Sequence, residues 1–353
     1  MGILHRSAPA VLTAGLAATA LLLGGCAATD AEGPEAPVTE AQTLEELYDA
    51  AIEAGEDTVL IYGPGEGPFA PVYAEFMERF DGIEVVTEFM FGGDLNARLE
   101  QEQATQQYAG DLVHLDDVVR YVDMMQSWVP AGVEVPAEVV LFGDKLYTAS
   151  QSPYVFAYNA DKFSADEVPS SWAEIVEFDG KIGMSDPTSL AATASALYSA
   201  YSAGAVDEDW FAALAALEPT IYQSSSQMVA AIPTGEIDFT PVAYFGFVLG
   251  QQANGANVQA VVPSDGVFLP DSPYGLLNGA PHPNAAKLLV SWLLSDEGQA
   301  SIAKNVSEYA TMPGSPAPTG LPAKSELSVF PSQPGDKRIA FKEEGVAFLG
   351  TWF

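Results

Sequence analysis

The stretch TVLIYGPGEGPFAPVYAEFMERFDGIEVVTEFMF, residues 58–91, decides the fold class. Its first five residues are apolar and rich in β-branched side chains, and Gly63-Pro64-Gly65 closes them with turn residues, as in a short buried strand. Apolar side chains then recur on one face of a predicted helix, at Phe69, Val72, Tyr73, Phe76 and Phe80. Residues 82–91 are again strand-like. Strand, helix and strand in this order predict a unit with two parallel strands and a right-handed crossover.

The same alternation continues on both sides of this unit. Before it, Thr43-Leu44-Glu45-Glu46 forms a capping box that predicts the start of a helix. After it, further strands are predicted at residues 111–114, 154–158, 181–184, 237–244, 258–262 and 272–277. Helices are predicted after Asp94, Asp186 and Ser224, and over residues 207–217, 284–294 and 296–304. The pattern indicates an α/β protein with two sheets.

Composition limits the classes of function. The chain has 353 residues with 48 acidic and 13 basic side chains, a formal net charge of −35. Such a charge repels phosphate backbones, which excludes nucleic acid as a partner. Hydrophobic residues make up 48% of the chain, enough for packed cores, and the length favours two domains. Cys26 is the only cysteine, so disulfides and cysteine-based metal sites are excluded.

The amino-terminal segment is predicted to direct export. Residues 1–25 carry Arg6 and then an apolar run too short to span a bilayer, as in a secretory signal peptide. The run ends in Leu23-Gly24-Gly25-Cys26, which resembles a bacterial lipobox. We therefore expect Cys26 to be lipidated and residues 26–42 to be a flexible tether. The predicted location is the outer face of the cytoplasmic membrane, extracellular or periplasmic, with the lipid as the membrane anchor.

Several stretches between Leu44 and about Pro322 carry a family resemblance. They are Leu44-Glu45-Glu46-Leu47 with residues 60–62, then residues 93–99, Val155-Phe156-Ala157-Tyr158-Asn159, residues 279–286 and residues 294–299. In this order they resemble the extracellular solute-binding lipoproteins of ABC importers, in the ferric-iron-type family. The resemblance implies an α/β, two-lobed, periplasmic-binding-protein-like type II fold with a ligand cleft between the lobes. Each lobe would be a mixed, mostly parallel sheet flanked by helices.

The resemblance also implies lobe boundaries and a role. Lobe 1 is predicted over residues 43–155 plus about 265–300, and lobe 2 over residues 156–264 plus about 301–353. Phe348, Trp352 and Phe353 near the carboxyl terminus predict that this tail packs on a lobe. The protein would be a monomeric, non-catalytic binding subunit without a cofactor. It would close on a small solute or metal ion and deliver it to a permease driven by an ATPase subunit.

Iron is the first ligand that the family suggests. Ferric binders of this family carry two adjacent tyrosines after the strand that residues 237–242 resemble, whereas this chain has Tyr244-Phe245-Gly246 there. The first-lobe ligand positions of the family match Glu66 and Asp116. If the transported ligand is a ferric ion, its ligands would be Glu66, Asp116 and Tyr244, with the tyrosine pair incomplete.

A small organic or phosphorus-bearing solute is the alternative ligand. Thr188 and Ser189, and the run Ser224-Ser225-Ser226, are predicted at helix starts, where amide N–H groups and hydroxyls can hold a carboxylate or phosphate. N-capping explains one serine at each start and does not explain three in a row. A polyamine or thiamine would instead pair acids with aromatic faces such as Tyr154 and Tyr244. An aminophosphonate or a sugar phosphate would use the hydroxyl groups.

A secreted α/β hydrolase-like lipoprotein is the alternative from another class. The chain has no G-x-S-x-G elbow and no phosphate-binding G-x-x-x-x-G-K-[ST] loop. His114 lies close to Asp116 in sequence, so spacing alone leaves a Ser–His–Asp arrangement open. We expect His114 to be a structural histidine of a strand, and His282 to shape the turn Pro281-His282-Pro283.

Overall fold

The computed structural model describes residues 43–63, 66–90, 92–115, 118–189, 192–333 and 335–353. The predicted signal peptide, the lipidated Cys26 and the tether lie outside the described residues, as does Asp116. These predictions therefore stay predictions.

Helices and strands alternate along most of the described chain. The α-helices are α1 Leu44–Ala54, α2 Glu66–Arg79, α3 Gly92–Thr105, α4 Ala192–Ser202, α5 Glu208–Ala216, α6 Ser225–Ala231, α7 Phe245–Ala253, α8 Pro283–Leu294, α9 Asp296–Asn305 and α10 Arg338–Leu349. The strands are β1 Thr58–Gly63, β2 Glu84–Phe89, β3 Leu112–His114, β4 Val140–Leu141, β5 Leu146–Gln151, β6 Tyr154–Asn159, β7 Gly183–Ser185, β8 Thr220–Tyr222, β9 Phe239–Tyr244, β10 Val258–Val261, β11 Asp271–Leu276 and β12 Tyr309–Ala310. Short 3-10 helices include Val118–Met124.

The larger sheet has the strand order β12-β5-β11-β3-β1-β2, with β4 paired to β5. β1 is parallel to β2 and to β3, which confirms the predicted strand–helix–strand unit at residues 58–91. β11 runs antiparallel to β3 and β5 because the chain enters it from the other sheet. The core on one face of this sheet contains Val59, Ile61, Phe76, Leu289 and Trp292, each at most 1% exposed.

The smaller sheet, β10-β6-β9, is antiparallel, and the parallel pair β7-β8 lies beside it through a bridge between Ile182 and Phe239. It has its own core, which includes Phe156, Trp172, Phe211 and Phe239. Two sheets with separate cores and flanking helices confirm the predicted α/β fold class. The larger sheet is mixed, as predicted, but antiparallel pairs outnumber parallel ones in it, and the smaller sheet β10-β6-β9 has antiparallel pairs throughout. The prediction that each sheet is mostly parallel is therefore wrong, because the chain returns to the larger sheet through β11 and β12, which run antiparallel to their neighbours.

The chain crosses between the two sheets at neighbouring places. Ser152 and Pro153 link β5 to β6, and residues 262–270 lead from β10 back to β11. Residues 301–310, which we assigned to lobe 2, carry the end of α9, packed on α2, and β12, paired to β5 of the larger sheet. The lobe boundaries themselves stay a prediction. The crossing strands are where movement of one sheet relative to the other would be absorbed.

The carboxyl-terminal tail packs as its aromatic residues predict. α10 lies on α4, and Leu349 is fully buried in the core of the smaller sheet with Phe348 and Trp352 packed around it. At its other end, Ile339 packs against the larger sheet's second hydrophobic cluster. The tail therefore contacts the regions of both sheets.

The pH titration of Glu75 tests the packing of α2 on α9. The Lys304 ammonium lies 2.7 Å from the Glu75 carboxylate, and Asn305 donates to it from 3.0 Å. Hydrogen bonds from Lys304, Ser301 and Asn305 lower the pKa of Glu75 from 4.5 to about 2. Because the folded pKa is the lower one, the stabilisation is complete above pH 4.5 and is lost as the pH falls toward 2.

We expect the side-chain carboxyl carbon of Glu75 to titrate near pH 2 in a ¹³C NMR experiment. In the matched variant Lys304→Met the midpoint should move upward, because the strongest donor is gone. A midpoint near 4.5 in both proteins would contradict this contact. The gain in stability should stay below about 1 kcal/mol, since the Lys304 side chain is 70% exposed.

Candidate ligand-binding site

A buried carboxylate joins the two sheets where the chain crosses between them. Glu308, just before β12, is 5% exposed. Its carboxylate accepts hydrogen bonds from Ser150 Oγ at 2.6 Å, Ser152 Oγ at 2.7 Å and Tyr244 Oη at 3.1 Å. Three hydroxyl donors offset the cost of burying this charge. We call Glu308, Ser150, Ser152 and Tyr244 the Glu308 cluster.

The elements that carry the Glu308 cluster explain its position. Ser150 lies near the end of β5, Ser152 lies in the crossing segment, and Tyr244 ends β9 of the smaller sheet. Glu308 belongs to the larger sheet's side, next to β12. Tyr244 therefore reaches across from the smaller sheet to an acid held by the larger one.

Tyr244 is held as a neutral phenol. Burial raises the pKa of Tyr244 well above its usual value of 10, and the neighbouring Glu308 carboxylate raises this pKa further. The phenol therefore keeps its proton at neutral pH and donates a hydrogen bond to the Glu308 carboxylate. A ferric ion bound by this residue would have to displace both the proton and the Glu308 hydrogen bond.

The predicted aromatic pair comes together, and the second tyrosine position is part of the core. Tyr154 and Tyr244 face each other in the β6–β9 register, with ring centroids 6.1 Å apart. Phe268 lies 5.5 Å from Tyr154 on another side. Phe245, which occupies the second tyrosine position of ferric binders, is 3% exposed and packs with Val248. Its side chain is part of the hydrophobic core beside the smaller sheet.

His114 is packed as the sequence predicts for a structural histidine. Its ring stacks on Tyr274 at 3.8 Å between centroids, and its Nε2 lies 2.9 Å from Ser272 Oγ. His114 is 3% exposed. Ser272 is the register partner of Ser150, so this pair lies beside the Glu308 cluster. A buried, stacked ring of this kind fixes the sheet and leaves little room for a substrate.

The second group of candidate residues forms a chain of hydroxyls. Ser185 Oγ, at the end of β7, lies 2.5 Å from Thr193 Oγ1 in α4 and 3.5 Å from Ser225 Oγ in α6. The Ser224 hydroxyl accepts from the backbone N–H of Gln227 and lies 3.2 Å from Ser226 Oγ. Ser224 is thus the N-cap of α6, as predicted.

Thr188 and Ser189 lie in a turn before α4, which begins at Ala192. The Asp186 carboxylate accepts from the backbone N–H and the hydroxyl of Thr188 and holds this turn, and Ser189 Oγ donates to the Asp186 backbone oxygen. The sequence predicts a helix start at these residues, and the structure places them in a turn that Asp186 stabilises ahead of α4. Residues 190 and 191, between this turn and α4, lie outside the description. Ser185 directly precedes Asp186, and its hydroxyl lies 3.5 Å from that of Ser225, the first residue of α6. The turn therefore lies next to the start of α6.

The structure does not describe the side chains of the two candidate ligand residues of lobe 1, Glu66 and Asp116. Glu66 begins α2, its side chain is outside the description, and Asp116 lies outside it altogether. Among the described residues, no group of three or more His, Cys, Asp or Glu side chains could hold a metal ion. None of the described helices has the length and apolar character needed to cross a lipid bilayer.

Sequence reasoning missed Glu308, Ser150 and Ser152 as site residues. Their contacts join positions that are more than 150 residues apart, since Ser150 and Glu308 differ by 158 positions. No local motif marks them in a chain with 48 acidic residues. Only burial distinguishes Glu308 from the solvated acids around it.

Solved structures of bacterial binding proteins are similar to this chain. Iron-bound HitA from Pseudomonas aeruginosa is 20% identical, with a TM-score of 0.66 over 83% of this chain and 99% of that chain. The substrate-binding protein of an ABC transporter from Agrobacterium tumefaciens is 18% identical, with a TM-score of 0.67 over 84% and 96%. AfuA from Actinobacillus pleuropneumoniae, with fructose-6-phosphate bound, is 17% identical, with a TM-score of 0.64 over 84% and 99%.

At these identities the solved structures show a shared two-lobed fold. None of the curated proteins matches the chain. One family, described as bacterial extracellular solute-binding protein, has a sequence model that matches residues 72–327. This match spans well over half of the sequence and includes the smaller sheet and the strands β2, β3, β4, β5, β11 and β12 of the larger one. The chain belongs to the bacterial extracellular solute-binding proteins.

Proposed function

We propose that the protein is the substrate-binding subunit of an ABC import system. It captures a small organic solute outside the cytoplasmic membrane and delivers it to a permease driven by an ATPase subunit. Family membership and the two-sheet fold with crossing strands support this role. A protein of this kind works by closing around its ligand, which shifts the balance between an open and a closed form.

The protonation and hydrogen bonding of Tyr244 support an organic solute, rather than a bare ferric ion, as the ligand. A ferric ion needs anionic oxygen ligands, and adjacent phenolates would supply them. Here Tyr244 keeps its proton and donates a hydrogen bond to the buried Glu308, and Phe245, which follows it in the sequence, is a core residue. HitA binds iron, and AfuA binds fructose-6-phosphate, in the same fold. The fold therefore accommodates iron as well as an organic phosphate. In this chain the environment of Tyr244 favours the organic phosphate.

The hydroxyl chain of the smaller lobe supports a ligand with an anionic group. Ser185, Ser225 and Ser226 offer hydroxyl donors from adjoining segments, and the short α6 begins beside them. Hydroxyls and backbone N–H groups bind the oxygens of phosphate, phosphonate and carboxylate. The Tyr154–Tyr244 pair beside Glu308 would suit a cationic or sugar portion of the same ligand. The proposed ligands are aminophosphonates and sugar phosphates.

The remaining parts of the proposal concern location. Lipidation at Cys26 would anchor the chain to the outer face of the membrane, and residues 26–42 would let the binding domain reach the permease. The protein would act as a monomer without a resident cofactor, since its task is capture and release.

Binding measurements with defined probes test the ligand class. The mature protein is titrated with ferric citrate, fructose-6-phosphate, 2-aminoethylphosphonate and spermidine, with melting temperature and native mass as readouts. An organophosphate should raise the melting temperature by mass action. The double substitution Ser225→Ala and Ser226→Ala should raise the Kd for this organophosphate about tenfold. Tyr244→Phe serves as the matched variant for iron. Stoichiometric ferric binding that Tyr244→Phe abolishes would refute the organic ligand and leave the import role intact.

A further inference from the structure

The carboxyl-terminal tail contacts the two sheets in turn before α10 begins. The Val267 backbone N–H, in the crossing segment, donates to the Ser328 oxygen at 2.7 Å, and the Phe330 N–H donates to the Val267 oxygen at 3.0 Å. The Phe330 side chain is buried in the core of the smaller sheet. A few residues later, Gly335 lies so close to Phe142, on the larger sheet's side, that a Cβ would meet the Phe142 ring at 2.8 Å. The tail therefore returns from the smaller sheet to the larger one.

The first turn of α10 is held by the larger sheet. The Arg338 guanidinium pairs with the carboxylate of Asp271, the first residue of β11, and both side chains are mostly buried. Ile339 packs against the hydrophobic cluster of this sheet that contains Tyr62 of β1 and Val113 of β3. An ion pair and an apolar contact at neighbouring positions thus fix this turn to the larger sheet.

The rest of α10 is held by the helices of the smaller sheet. The Phe341 ring lies 4.8 Å from the ring of Tyr198 in α4. One turn from the end of the helix, the Phe348 ring stacks on Tyr201, with centroids 4.4 Å apart. Leu349 is fully buried in the smaller sheet's core. These contacts attach α10 to the smaller sheet along most of its length.

One short helix therefore bridges the two sheets. α10 has 12 residues and is a stiff body, so its first turn moves together with the part that α4 holds. Rotation of one sheet relative to the other about the crossing segments would change the separation of Arg338 from Asp271. It would also move Ile339 in its hydrophobic cluster. Both contacts weaken steeply with distance, so they favour the angle between the sheets at which they form.

We propose that Arg338 and Ile339 form a latch that holds the angle between the two sheets in the ligand-free protein. A ligand that requires another angle must break this latch, and the free energy of breaking it is subtracted from that of binding. The first turn of α10 therefore sets part of the ligand affinity without touching the ligand. This consequence rests on the proposed binding function, whereas the latch itself does not.

Distances between two spin labels, measured by double electron–electron resonance without any ligand, test the latch. The labels are attached at exposed positions of α1 and α5, through Asp49→Cys and Asp209→Cys in the mature protein with Cys26→Ser. Ile339→Ala should raise the population outside the main wild-type distance about tenfold, because a partly buried apolar contact is lost. Arg338→Gln should act in the same direction, and Arg338→Lys, which keeps the charge, should act less.

Val346→Ala is the matched control, because Val346 lies on the same helix and packs against the core of the smaller sheet. With Phe348 and Leu349 in place, this variant should keep the wild-type distances. Wild-type distances in both Ile339→Ala and Arg338→Gln would overturn the latch, as would equal broadening by Val346→Ala. Melting temperatures show which variants fold, and the two Arg338 variants carry the test if Ile339→Ala does not. No ligand enters the measurement, so its failure would leave the proposed import function intact.

Discussion

Replacement of Asp111 by alanine is expected to lower the free energy of unfolding by about 3 to 5 kcal/mol. Asp111 is fully buried just before β3. Its Oδ2 accepts the backbone N–H of Leu60 at 2.8 Å, and its Oδ1 accepts the backbone N–H of His282 at 2.7 Å. The carboxylate thus ties β1 to the turn before α8. Without it, the backbone N–H groups of Leu60 and His282, both partly buried, lose their acceptor, and each loss costs up to about 3 kcal/mol.

Urea unfolding followed by circular dichroism measures this loss. Asp49→Ala is the matched control, because Asp49 is exposed on α1 and the same substitution there should change stability by no more than about 0.5 kcal/mol. If Asp111→Ala unfolds within about 1 kcal/mol of the wild type, the Asp111 contacts do not hold the sheet as described.

Replacement of Gly298 by alanine is expected to destabilise the protein by about 3 kcal/mol or more. A Cβ at Gly298 would lie 2.0 Å from the backbone oxygen of Trp292 and 2.7 Å from Leu293 Cα. Both atoms belong to α8, so one of the two helices would have to move. Trp292 is fully buried, and this movement would disturb the larger sheet's core.

Gly67→Ala in α2 is the control for the helix propensity of alanine. A Cβ at Gly67 meets nothing within 4 Å, so this variant should be as stable as the wild type or gain up to about 1 kcal/mol. The difference in urea midpoint between the two variants reports the steric effect alone. Equal midpoints would show that α8 and α9 can separate at no cost, against the close approach seen here.

The segments that the sequence predicted well are those with local signals. Residues 58–91 show strand and helix periods directly, and β1, α2 and β2 lie there. The family resemblance at residues 294–299 also has a physical basis. Gly298 permits the close approach of two helices, and the Gln299 amide donates to the Ala149 and Leu293 backbone oxygens while accepting from Met312 N–H. His282 shapes its turn, as predicted, through Asp111.

The segments that the sequence did not predict depend on distant partners. β5 went unrecognised, because its pairing partners β11 and β12 lie more than 100 residues later in the chain. Glu308 becomes a site residue only when β12 brings it next to Ser150. At Thr188 and Ser189 the sequence predicts a helix start, and the structure shows an Asx turn at Asp186, which uses the same residue types, ahead of α4.

The order of strands in the larger sheet also affects how the chain folds. β3 and β5 find their neighbour β11 only after residues 271–276 have been made, and β12 joins at residues 309–310. Chains dominated by such distant pairings fold slowly, because loop closure must precede the contacts that stabilise it. A nascent chain that ends before β11 can pair β3 with β1 and β5 with β4, but it lacks the strand that joins β3 to β5. The larger sheet, and with it the core on its face, is therefore completed late in synthesis.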